Sequence, residues 1–214
     1  MIVEKETSMK RSSFLSVFIL GFAGALAAVP AMAATVLYSN GPTNDSIDAI
    51  NFTNFPVTDS FVLSRSSTVT GFSFDAWLYP GDTMSQVDWS IGTSAFDSSL
   101  GSGTAATTGV FKETGLFTYE IYTESISGLD LPLGAGTYWL TFRNATTTNG
   151  DAAFWDENNG PSTAFFQIPG LAITSETFQI LGESESPIPE PSSFLLLGSG
   201  LVGLAGFIKR KLAA

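Results

Sequence analysis

A period of two restricts this chain more than any other feature. Phe72, Phe74, Ala76 and Leu78 alternate with Ser73, Asp75 and Trp77. Val87, Trp89 and Ile91 alternate with Asp88 and Ser90, and Tyr138, Leu140 and Phe142 with Thr141 and Arg143. Phe117, Tyr119 and Ile121 do the same with Thr118 and Glu120. Successive side chains of a strand point to opposite faces, so each run predicts an antiparallel strand with one buried face. Turn clusters separate the runs: Pro80-Gly81-Asp82, Gly101-Ser102-Gly103, Leu133-Gly134-Ala135-Gly136, Asn149-Gly150-Asp151 and Asn158-Asn159-Gly160-Pro161. After Val29 no helical stripe occurs until the last residues. Short strands at this spacing predict an all-β fold, a jelly-roll-like antiparallel β-sandwich of two sheets.

The chemistry open to this sandwich is narrow. The 214 residues contain neither Cys nor His. That excludes a disulfide framework, a thiolate nucleophile, a Ser-His-Asp triad and imidazole metal ligands. Over residues 34–186, Arg65, Lys112 and Arg143 face seventeen Asp and Glu, a net charge of −14. Such a surface repels nucleic acid and anionic lipid, which leaves divalent cations as natural counterions. With seventeen acids some close carboxylate pair is inevitable, so no pair marks out a glycoside hydrolase, and the domain reads as non-catalytic.

The two ends read differently from the middle. Lys10 and Arg11 precede an apolar run from Phe14 to Val29, and Ala31-Met32-Ala33 has the small-x-small form of a signal-peptidase site. Residues 1–33 are therefore expected to be a signal peptide, with an uncleaved anchor as the alternative. At the other end, Pro189-Glu190-Pro191 leads into an uncharged run from Ser193 to Ile208, closed by Lys209, Arg210 and Lys211. Sixteen helical residues span about 24 Å, short against a hydrocarbon core of about 30 Å. The basic end is expected to stay cytoplasmic, which places the bulk of the chain across the membrane. A plain tail anchor on a proline-rich stalk is the competing reading.

Tripeptide, apolar helix and basic cluster in this order resemble the PEP-CTERM sorting signal of Gram-negative bacteria that make extracellular polysaccharide. The resemblance implies recognition by exosortase, a membrane-embedded protease, which removes the helix and passes the protein towards the cell surface. It implies an inner-membrane intermediate and then the outer surface or extracellular matrix, with membrane contact only through the C-terminal helix before processing. The expected organisation is a signal peptide over 1–33, a sandwich over 34–182, a disordered spacer over 183–192, and a transmembrane helix with basic tail over 193–214.

Leu133 to Ala145, Phe154-Trp155-Asp156, Gly160-Pro161-Ser162 and Glu176 to Gly182 are similar to the ending shared by many exported proteins with this tail. Those ectodomains resemble β-sandwiches and carry no assigned activity. Two groups of residues remain as candidate sites. Trp77, Tyr79 and Trp139 fall out of phase with the inward residues, and Trp155 lies in a loop-like segment. Exposed rings of this kind stack on sugars and would hold polysaccharide, whereas buried they would merely fill the cover of a sheet. Asp151, Asp156 and Glu157 flank Phe154 and Trp155 and offer oxygen ligands for one calcium, with plain solvated loop carboxylates as the alternative. A protein-protein adhesion module of the biofilm matrix is the rival to polysaccharide binding.

Overall fold

The computed structural model describes residues 35–44, 48–167, 170–185, 199–201 and 209. The chain divides between Ala33 and Ala34, and every described residue falls in the second unit. The signal segment with Ala31 and Ala33, the tripeptide Pro189-Glu190-Pro191, and Arg210 and Lys211 lie outside the described residues. Residues 199–201 and Lys209 are helical. Among the described residues no helix is long and apolar enough to cross a membrane.

The strands, in chain order, are β1 (Thr35–Ser39), β2 (Ala49–Asn51), β3 (Val57–Leu63), β4 (Ser67–Leu78), β5 (Met84–Gly92), β6 (Gly101–Ala106) and β7 (Thr108–Thr114). After a 3-10 turn at Leu116–Thr118 follow β8 (Glu120–Leu133), β9 (Gly136–Thr147), β10 (Phe154–Asn158), β11 (Ala164–Phe166), β12 (Ala172–Ile173), β13 (Ser175–Glu176) and β14 (Phe178–Ser184). All strand pairs are antiparallel, and they form two sheets. The first has β4 at its centre, with β8 then β7 on one edge, and β14 then β1 on the other. Beyond β14, the same edge of β4 pairs with β10, which carries β2 and β13. The second sheet runs β12-β11-β3-β9-β5-β6. The fold is an all-β sandwich.

Aromatic rings fill the space between the sheets. Trp155 is fully buried, with ring centroids 4.7 Å from Phe142, 5.9 Å from Phe178, 6.1 Å from Phe74 and 6.4 Å from Phe52. Its Nε1 donates to the Thr177 carbonyl at 2.8 Å, satisfying the one polar atom of an otherwise apolar ring. The inward phase of β4 changes within the strand: Ser67 and Val69 point in before Thr70, Phe72, Phe74, Ala76 and Leu78 after it. Thr70 is a bulge towards both neighbours, since pairing with β8 jumps from Val69 to Gly71 and pairing with β14 from Gly182 to Leu181. The kink presses backbones together. A Cβ on Gly71 would lie 2.2 Å from the Ile126 carbonyl oxygen, and one on Gly182 would lie 2.1 Å from that of Thr68, so both sites need glycine.

Four sequence expectations require correction. Gly101-Ser102-Gly103 is strand β6, not a turn; these glycines let the edge strand lie over the Trp89 ring, which a Gly103 Cβ would approach to 3.4 Å. Phe117 and Tyr119 do not continue β8 backwards. The chain reverses there, with Gly115 N–H donating to the Tyr119 carbonyl at 2.8 Å and Phe117 and Thr118 at φ 55 and 68. Phe154 to Asn158 is strand rather than loop, because Trp155 needs the core. The expected spacer begins too early, since Glu183 and Ser184 still pair with Thr68 and Ser67 in β14.

Candidate functional site

The four candidate aromatics separate by burial. Trp155 is 0 % exposed and presents no face to a ligand. Trp77 is 5 % exposed, although it belongs to the outward phase of β4, because other chain segments cover that side of the sheet. Tyr79 keeps 41 % exposure, with Tyr119 at 4.9 Å and Phe154 at 6.4 Å. Trp139, half-buried on the outer side of the second sheet, stacks on Phe165 at 5.4 Å with only 19° between the rings. The register places them there: Trp139 opposite Ser60 and Phe165 opposite Thr58, on the two flanks of β3.

On the outer side of the first sheet a polar row crosses three strands. Trp155 faces Ala76 and Phe154 faces Trp77, so the next position sets Asp156 beside Asp75, which in turn faces Thr123. Thr123 Oγ1 donates to Asp75 Oδ1 at 2.6 Å. Lys112, at the bulge in β7, reaches over the sheet and donates to Asp75 Oδ2 and to Thr43 Oγ1, both at 2.9 Å. Trp77 Nε1 donates to Asp156 Oδ1 at 2.6 Å, while the buried Asp156 Oδ2 has no hydrogen-bond partner. Burial pushes the Asp156 carboxyl up to about 7, against the lowering effect of the indole donor and with help from the Asp75 charge.

Two cavities lie along this row. One of about 310 Å³ is bounded by Ser39, Gly41, Pro42, Ser73, Asp75, Lys112, Thr123 and Gln179, among others. The other, about 220 Å³, is bounded by Thr43, Trp77, Glu113, Leu116, Ile121 and Asp156, among others. The Lys112 to Thr43 hydrogen bond joins a residue of the first to a residue of the second.

Further acids are buried at positions with no expected site role. Asp59 sits in the inward phase of β3 between Val57 and Phe61, a signal that the alternation itself could have flagged. Its carboxylate accepts from Ser60 N–H, Glu176 N–H, Ser162 Oγ and Asn40 Nδ2, yet burial still raises it to about 6. Glu176 is fully buried with neither carboxylate oxygen hydrogen-bonded. Burial first, then the charges of Glu157, Asp59 and Asp156, hold it well above the usual carboxylate range. Glu124, on β8, is pushed up to about 7 by burial.

The calcium ligands expected at Asp151, Asp156 and Glu157 do not come together. Asp151 is exposed, and consecutive positions in β10 send Asp156 and Glu157 to opposite faces, where Asp156 meets Trp77 and Glu157 accepts from Thr174 Oγ1 at 2.8 Å. Among the described residues no three acidic side chains converge in a group able to hold a metal ion.

A family model, the PEP-CTERM protein-sorting motif, matches residues 187–211. The chain therefore carries the signal of a secreted protein that is routed through the membrane to the cell surface and processed by exosortase, a membrane protease. No curated protein and no solved structure matches the chain.

Proposed function

We propose that the PEP-CTERM motif at residues 187–211 delivers a non-catalytic β-sandwich, by way of an inner-membrane intermediate, to the outer surface or extracellular matrix, where it holds polysaccharide. In this reading signal peptidase cleaves after Ala33, and exosortase acts between the sandwich and the apolar segment. A jelly-roll arrangement is supported by the order β1-β14-β4-β8 over β3-β9-β5-β6, in which the chain passes from layer to layer at every step but β5 to β6, with β2, β7 and β10 to β13 as additions.

The observation that carries the binding assignment is the Trp139 and Phe165 pair. Two stacked, nearly parallel rings, both half-buried on the outer side of a sheet, leave open part of an apolar surface of the kind that stacks on the apolar face of a sugar. Tyr79 is a second, smaller platform. Co-sedimentation of the full chain, in mild detergent, with purified exopolysaccharide of the producing cells tests this. Saturable retention that falls in Trp139→Ala is expected, and retention unchanged in that folded variant removes the reading.

Protein-protein adhesion has one feature in its favour. The edge strand β7 and the turn after it expose Val110, Phe111, Leu116 and Phe117, the last to 76 %. Retention of the chain on matrix protein free of sugar, abolished by Phe117→Ser, would favour that reading.

A further inference from the structure

We propose that the outer side of the first sheet is a second glycan site, a groove in which Asp75 and Lys112 together grip two adjacent hydroxyls of a neutral sugar. The proposal rests on the polysaccharide reading above and assigns a site distinct from the Trp139 platform.

Four observations lead to it. The cavities are small for ligand pockets, about 310 Å³ at the lower limit of the usual range and about 220 Å³ below it, the size of a sugar residue rather than a large cofactor. Their walls alternate donors and acceptors: Ser73, Thr123 and Thr43 hydroxyls, the Gln179 amide, the Lys112 ammonium and the Asp75 carboxylate. An acceptor and a donor 2.9 Å apart match the spacing of neighbouring ring hydroxyls, one donating to Asp75 and the other accepting from Lys112. Finally, Asp156, only 1 % exposed, lines the second cavity with Oδ2 unpartnered. A buried polar atom of that kind calls for a partner, and a sugar hydroxyl supplies one.

Charge selects the ligand class. The groove contains both signs in contact, and the domain around it carries a net −14, so an anionic sugar is repelled at long range and finds Lys112 already neutralised by Asp75. A neutral hexose meets neither penalty. The Trp77 indole, anchored by Asp156, forms part of the second cavity's wall.

The test is titration calorimetry of the full chain in mild detergent against tetrasaccharides of glucose, mannose and galactose. The same sugars after periodate cleavage and reduction, which removes adjacent hydroxyl pairs, are the control. At least one intact tetrasaccharide is expected to bind and its cleaved form is not. Asp75→Asn and Lys112→Met should each weaken binding roughly tenfold, the effect of one charge-assisted hydrogen bond. Gln179→Ala, on a half-exposed residue, should weaken it by a smaller factor and protects the test should Asp75→Asn misfold. The groove is overturned by no binding of any of the three sugars, by equal binding of cleaved forms, or by full affinity in both Lys112→Met and Gln179→Ala. Loss of exopolysaccharide retention only in Trp139→Ala, with the groove variants silent in both assays, overturns the groove and leaves the platform reading standing. Tetrasaccharide binding at the groove without exopolysaccharide retention overturns the platform reading instead.

Discussion

The two outer sides of this sandwich began from the same kind of sequence and ended in different states. On the second sheet, Trp139 remains half-open with Phe165 beside it, and Asp88 is bonded by Thr104 and Asn144 at the solvent edge. On the first sheet, Trp77 occupies an equivalent outward position but is closed over, and Asp75 and Asp156 are closed in with it. The cover comes from β7, the turn at Leu116–Thr118 and the segment around Thr43. An outward phase therefore marks a side chain as facing away from the core, and only the later strands decide whether it faces water.

Removing the two tryptophans one at a time is the strongest way to break this comparison. Trp77→Ala should cost about 3 to 5 kcal/mol, the cost of truncating a buried aromatic, and leaves both oxygens of the buried Asp156 without partners. Urea unfolding measures it directly. A cost below about 1 kcal/mol would mean that the cover over the first sheet is loose and that the two sides are alike.

The carboxylates of the two sides should answer pH in opposite senses. Asp156 titrates at about 7 in the folded chain, above its ordinary 3.8. The unfolded chain ionises first, so stability falls as pH rises from about 4 to 7 and then levels off, by at most about 4 kcal/mol from this one group. Asp88 is lowered, by the Thr104 hydrogen bond first and the Asn144 hydrogen bond next, so its contribution is present at neutral pH and lost on acidification below the ordinary carboxylate range. Unfolding midpoints of Asp156→Asn should consequently decline less between pH 4 and 7 than those of the parent, and Asp88→Asn should decline no less. Parallel profiles for parent and Asp156→Asn would show that Asp156 is not held protonated.

Lys112 and Asp75 bridge the cover to the sheet, and the pair is mostly buried, with the two side chains 32 % and 11 % exposed. Lys112→Met keeps the stem and removes the charge, so Asp75 loses its ionic partner while Thr123 still donates to it. We expect a loss of about 1 to 2 kcal/mol, between the values for exposed and for buried pairs. The same change in Arg143, for which no ion pair occurs among the described residues, should stay within about 0.5 kcal/mol.

How much of this the sequence carried depends on the range of the cause. Inward Phe72, Phe74, Leu140 and Phe142 were legible because alternation is local, and the turns at Gly81 and Gly150 because a positive φ selects glycine at the site itself. The basic tail and Pro189-Glu190-Pro191 were legible as a signal read in linear order. Trp155 was misplaced because a five-residue strand has too few positions to display a period, and the core that claims its ring comes from Phe52, Phe74, Phe142 and Phe178. The groove was illegible for a deeper reason. Asp75, Lys112 and Asp156 meet across three strands separated by tens of residues, and no local pattern encodes that register.

A small effect on stability is expected where the effect on function is largest. Trp139 packs on Phe165 at the outer side, so Trp139→Ala removes ring-on-ring contact worth about 0.5 to 1.5 kcal/mol and opens no cavity in the core. The inward residues of β9, Tyr138, Leu140 and Phe142, are untouched by the change. A platform acts through area that only a ligand completes, so the folded chain loses little and the bound state loses its stacking surface. Thermal unfolding should shift by a few degrees at most, while retention on exopolysaccharide falls to the remainder that the groove of the first sheet supplies. A large drop in melting temperature with retention intact would reverse the comparison: the second sheet would then be the one that uses its tryptophan for structure, and the closed groove of the first would be where this chain meets sugar.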